Sequence, residues 1–184
     1  MARILEEGNL QFDFSDICFV TDPIKFDTNN PTGTEGVDFI AETKDRVYFI
    51  EVKDYQNPDA TAENRKIDFE MLIAAGKEKP DLKSDYVSRL KGAIFCLQIG
   101  QKFKDSLLRK LALGEIITKK IEYLIFINLD NLGEKVRGRL KEKISGYIPT
   151  GLNSNDFTAL ENIAFKLVDK EQMKSYNITC THKS

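Results

Sequence analysis

The 184-residue chain is 41% hydrophobic and 30% charged, with 12 Phe, 6 Tyr and no Trp, a composition that fits a folded globular protein and excludes a disordered or fibrous one. No apolar run reaches the ~18 residues of a membrane span, and Met1–Glu7 carries no signal-peptide core, so the expectation is a cytoplasmic protein with no membrane partner. The net charge of −2 is uneven: residues 1–64 hold 14 acids against 5 bases, and residues 101–143 hold 11 bases against 6 acids, which can set a cation site beside a phosphate-binding face.

The three cysteines, Cys18, Cys96 and Cys180, are widely separated and suggest reduced thiols rather than a disulfide framework. The single histidine, His182, leaves no Cys/His zinc pattern. Any catalysis must therefore run without histidine.

In chain order, Leu10, Phe12 and Phe14 alternate with polar residues and predict a strand. Ile17–Val20 predicts a second. Residues 27–36 are rich in turn formers and predict a loop. Val37–Thr43 and Arg46–Lys53, separated by Lys44-Asp45, predict a hairpin. Both strands are apolar on both faces, as in a sheet covered on two sides. Helices are expected over about 60–75, with Ile67, Met71 and Ala74 inward, over 84–99, with Val87, Leu90, Ile94 and Leu97 inward, and over 102–113. Ile121–Asn128 predicts a buried strand, Glu134–Ile144 a helix, 155–162 a further helix and Ala164–Val168 a strand. The fold class expected is α/β, one domain over 1–184, with a central mixed sheet flanked by helices.

The hairpin places three charges together. A two-residue connection at Lys44-Asp45 pairs Thr43 with Arg46, and the same register sets Asp38 opposite Glu51. Facing side chains have Cβ atoms ~5 Å apart, and Lys53 lies on the same face as Glu51. A slip of one residue would separate the two acids onto opposite faces. Two facing carboxylates on buried strands repel each other and lose hydration unless a cation compensates. Mg²⁺ does so, through carboxylate oxygens at ~2.1 Å. A metal beside a lysine supplies what phosphodiester hydrolysis needs. The competing reading is an Asp38–Lys53 surface ion pair with Glu51 solvated. Phe39, Ile40, Phe49 and Ile50 around the charges speak against it.

Asp38, followed after twelve residues by Glu51-Val52-Lys53, in the settings Gly36-Val37-Asp38-Phe39-Ile40 and Ile50-Glu51-Val52-Lys53-Asp54, resembles the PD-(D/E)XK phosphodiesterase superfamily. The resemblance covers about 33–128 in layout and 36–55 in motif. It implies a restriction-endonuclease-like fold and a nuclease (a Mg²⁺- or Mn²⁺-dependent hydrolase) acting on nucleic acid, with DNA the expected substrate and a defence, mobile-element or repair role. Carried over, Asp38, Glu51 and Lys53 would be catalytic. Asp38, Glu51 and the Val52 carbonyl would hold the metal, and Lys53 would orient water or stabilise the transition state. Val37 stands where the motif has proline. The acid usually supplied by an N-terminal helix is not evident; Glu6 or Glu7 could supply it if Ile4–Gly8 ends a short helix, or Glu35 from the loop. Substrate contacts are expected from Tyr55, Gln56, Arg89, Lys135 and Arg139, although Lys135 and Arg139 equally suit the solvated face of an amphipathic helix. A homodimer cutting both strands is compatible with this size. The alternative is a catalytically silent member of the same fold, serving as a nucleic-acid- or protein-binding module.

Overall fold

The computed structural model describes residues 3–15, 17, 19–21, 35–56, 62–77, 86–115, 117–130, 132–149 and 163–183. The helix expected over 155–162 and most of the 27–36 loop lie outside them. The chain is mixed α/β. Its strands are β1 (Ile4–Glu7), β2 (Leu10–Asp13), β3 (Phe19–Thr21), β4 (Phe39–Glu42), β5 (Arg46–Asp54), β6 (Lys120–Asn128), β7 (Ile163–Val168) and β8 (Thr179–His182). Its helices are α1 (Ala62–Gly76), α2 (Tyr86–Ala112), α3 (Glu134–Ser145) and α4 (Lys170–Lys174).

A five-stranded sheet runs in the order β3-β4-β5-β6-β7. The β3, β4 and β5 strands form an antiparallel meander, and β6 and β7 continue it in parallel. Helices α1 and α2 lie in the crossover from β5 to β6, the kind of connection parallel strands require. The hairpin register is the one expected: Phe39 faces Ile50 and Glu42 faces Val47. Thr43 closes the connection, its N–H donating to the Arg46 carbonyl at 2.9 Å and its hydroxyl accepting from the Arg46 N–H at 3.1 Å.

Both faces of β5 are buried, as its continuous apolar run requires. Val47 and Phe49 pack with Leu72, Phe95, Phe103, Leu140 and Ile144 under the long helices. Tyr48, Ile50 and Val52 pack on the other side with Leu10, Phe12, Phe14, Met173 and Cys180. That second cover differs from the expectation of helices on both faces. It is a small antiparallel sheet, β1-β2-β8, with α4. It forms by pairing Leu10 with His182 and Phe12 with Cys180, a long-range match that no local pattern announces.

Two helical expectations also change. The segments read as 84–99 and 102–113 form one 27-residue helix, α2. Gly100 does not break it; the residue is buried, and a Cβ there would stand 2.7 Å from Tyr147 Cβ. Close packing, not a turn, is what this glycine serves. The inward stripe of α2 is Phe95, Cys96, Ile99, Phe103 and Leu107, while Leu90, Ile94 and Leu97 are exposed. On α1, Met71 and Ala74 are buried as expected, but Ile67 is exposed. Segment 4–8 holds a strand, not a helix, and Glu7 pairs with Leu10.

Candidate active site

One step beyond the last paired residues of the hairpin, Asp38 comes beside Glu51. The Asp38 Oδ2 accepts from the Val52 N–H at 2.5 Å, so the carboxylate is fixed by the backbone of the facing strand. Glu51 follows Val47 and Phe49 in the two-residue alternation and points to the helix face. It has no solvent exposure at all. Lys53, two residues on, sets its ammonium 3.2 Å from Glu51 Oε1. Asp38, Glu51 and Lys53 are thus one cluster.

The cluster has a fourth member that the sequence reading missed. Lys102, on α2, brings its Nζ to 2.9 Å from Glu51 Oε1 and 3.9 Å from Asp38 Oδ1. Two carboxylates and two ammonium groups therefore meet beneath α2. Burial, and then the charge of Glu51, push the Asp38 pKa well above the ordinary carboxylate value, against the pull of Lys102 and the Val52 N–H; Glu7 on β1 adds a further like charge. For Lys102, burial works against the charged form, but the Glu51 and Asp38 carboxylates outweigh it and raise its pKa above that of an ordinary lysine. The Glu51 Oε2 is buried and, among the described residues, has no hydrogen-bond donor. An orphaned buried carboxylate oxygen is costly.

The same face of α2 carries the loop before β4. Asp105 Oδ2 accepts from the Glu35 N–H at 3.0 Å, and Ser106 Oγ accepts from the Val37 N–H at 2.8 Å. Gln101 donates to Asp105 Oδ1 at 2.7 Å. These bonds hold residues 35–37, and therefore Asp38, against the helix. Tyr123 on β6 lies fully buried nearby, its hydroxyl donating to the Ile99 carbonyl at 2.9 Å. Burial, then the charges of Glu51 and Asp38, push its phenol pKa up.

The expectation divided α2 into helices over 84–99 and 102–113 and gave the second no inward face, so Lys102, Asp105 and Ser106 were not tied to the site. With Ile99, Phe103 and Leu107 inward, Lys102 and Ser106 fall on the buried stripe, where a charged or polar residue is anomalous. That anomaly was the available signal.

The remaining candidates are scattered. Tyr55 packs edge-on against Phe69 at 6.0 Å, and its hydroxyl is buried without a hydrogen bond among the described residues. Burial, then the charges of Asp68 and Glu51, raise its pKa. Gln56 turns back, its N–H donating to Asp54 Oδ1. Glu35 is exposed, and its charge reaches Lys102. Arg89 lies on α2, with its side chain outside the described residues. Lys135 is exposed on α3. Arg139 donates to the Gly76 carbonyl at 3.4 Å, at the C-terminus of α1. There it meets the negative end of the α1 dipole. Two surface clefts of about 480 and 350 Å³ lie elsewhere, beside α3, and none of Asp38, Glu51, Lys53 or Lys102 lines them.

No family model, curated protein or solved structure matches this chain. Among the described residues no helix is long and apolar enough to cross a membrane. Among the same residues no third Asp, Glu, His or Cys joins Asp38 and Glu51 in a metal-sized group.

Proposed function

We propose that this chain is a metal-dependent nuclease of the restriction-endonuclease-like type, with Asp38, Glu51, Lys53 and Lys102 as its working residues. One observation carries the reading. A fully buried glutamate faces a half-buried aspartate across a hairpin, with one glutamate oxygen left without a donor among the described residues. Structural ion clusters rarely leave such an atom unused, whereas a hard divalent cation takes carboxylate and carbonyl oxygens of this kind.

The donor set suits Mg²⁺ or Mn²⁺. Asp38 and Glu51 would hold the ion, with the Val52 carbonyl as the backbone donor between them. The metal's chemistry is to make water nucleophilic near neutral pH and to draw charge from phosphoryl oxygens. Lys53, fixed beside Glu51, would orient the attacking water and offset charge as it grows on the phosphate. Lys102, on a flexible four-carbon stem, would meet a phosphate oxygen as a point charge. Asp105 and Ser106 keep Asp38 in position by anchoring the loop before it. The substrate is a nucleic acid, with DNA the first choice, in a defence, mobile-element or repair setting.

A silent binding module is the second reading. It is favoured by the absence of a third acid among the described residues and by the two lysines that already balance the two carboxylates.

The test is cleavage of plasmid, linear and single-stranded DNA and of RNA, with Mg²⁺ or Mn²⁺ present. The nuclease reading expects metal-dependent cleavage that falls by roughly 10²–10³-fold in Lys53→Ala and Glu51→Gln, the usual cost of one transition-state contact. Cleavage that survives both substitutions rejects the assignment. Metal binding that is absent in calorimetry favours the module.

A further inference from the structure

Lys102 holds the position a divalent ion would need. Its Nζ stands between Glu51 Oε1 and Asp38 Oδ1, at 2.9 and 3.9 Å. A Mg²⁺ shared by those carboxylates must approach their oxygens to ~2.1 Å. The ammonium group and the ion cannot occupy that gap together, and their like charges repel. Lys102 also has a way out. Its side chain is 21% exposed, whereas Glu51 is wholly enclosed, so the flexible stem can carry the charge to solvent without unfolding the helix.

Charge balance gives the swing a direction. With both lysines in place the two carboxylates are already neutralised. Adding a divalent ion leaves an excess positive charge, which a phosphodiester would offset. The displaced ammonium is then free to pair with that phosphate.

We infer that Lys102 is an internal placeholder cation: it seals the Asp38–Glu51 pair in the resting protein and is expelled when a divalent metal enters, so that metal and polyanion bind cooperatively. This inference rests on the metal-dependent reading of the site. In this Lys102 is distinct from Lys53, which contacts Glu51 but not Asp38 among the described ion pairs.

The experiment is calorimetric titration of Mg²⁺ into the full chain, comparing wild type, Lys102→Met, Lys53→Met and Asp38→Asn. Each is titrated alone and with a phosphorothioate DNA duplex that resists cleavage. Removing the placeholder should tighten Mg²⁺ binding by about tenfold or more, within the usual range of site-to-site coupling. Lys53→Met should tighten it much less. In wild type the duplex should tighten Mg²⁺ binding several-fold, and in Lys102→Met that coupling should shrink. If Lys102→Met does not fold, Lys102→Gln keeps a donor for Glu51 and replaces it. Equal Mg²⁺ affinity in wild type and Lys102→Met, with loss in Asp38→Asn, overturns the placeholder and leaves the nuclease reading standing. An equal gain in Lys53→Met also overturns it, because the effect is then only net charge. No Mg²⁺ binding in any form rejects the metal-dependent reading and the placeholder with it.

Discussion

Replacing Asp38 by Asn should make the metal-free protein more stable at neutral pH, although Asp38 is the residue that anchors the site. Four interactions decide the sign. The ionised side chain is attracted to Lys102 at 3.9 Å, worth about 4 kcal/mol at an effective dielectric constant near 20. It is repelled by Glu51, and that repulsion outweighs the pull of Lys102. Larger still is desolvation, several kcal/mol for a buried ion, with Glu7 adding repulsion. An Asn keeps an oxygen to accept the Val52 N–H and sheds the charge. The expected gain is about 1–3 kcal/mol, or about 3–8 °C in Tm for a chain of this size.

The pH dependence carries its own sign. Asp38 has a raised pKa in the folded state, so its neutral form is favoured by folding. The stability linked to that proton is fully present below the ordinary aspartate pKa. It is lost as pH rises through the elevated folded value. The Asn variant should therefore match wild type in acid and overtake it towards neutral pH. The assay is thermal unfolding by circular dichroism across that range, with chelator present throughout. An Asn variant that is less stable at neutral pH, or whose advantage is the same at every pH, would refute the electrostatic account. Added Mg²⁺ should reverse the order, because it stabilises only the form that can bind it.

Other outcomes follow from the packing around the site. Ser106→Ala leaves the buried Val37 N–H without its acceptor and should cost about 1–3 kcal/mol in urea unfolding; an unchanged midpoint would mean that the loop is held otherwise. Gly92→Ala puts a Cβ 2.9 Å from the backbone of Ala74 and Ala75, so overpacking of about 1–3 kcal/mol should exceed the helix-propensity gain. Gly138→Ala, where a Cβ meets nothing within 4 Å, should instead stabilise by up to about 1 kcal/mol. Equal effects at the two glycines, read from Tm, would contradict the α1–α2 contact. Burial pushes the Cys96 and Cys180 thiols up to about 11. Both should therefore resist alkylation in the native protein at mildly alkaline pH and react once it is unfolded. Rapid native labelling mapped to either by mass spectrometry would contradict their burial.

The hairpin and its three charged residues were legible from the sequence because their signals are local. A two-residue connection fixes the register, the two-residue alternation fixes the face, and continuous apolar runs mark strands buried on both sides. Those rules suffice to set Asp38 against Glu51 with Lys53 alongside. The tertiary structure alone decided what covers the sheet and what completes the cluster. The β1-β2-β8 sheet forms from segments at opposite ends of the chain, so each strand's pattern shows only that it needs a partner. The phase of α2 was ambiguous for a physical reason. Its apolar residues ring the helix, and exposed Leu90, Ile94 and Leu97 form as regular a stripe as buried Ile99, Phe103 and Leu107. Packing against Tyr123 and Phe49 selects the second stripe, and with it brings Lys102 to the carboxylates. The sequence determined that two acids and a lysine share a buried face; only the helix laid across the sheet decided that a second lysine sits between the acids.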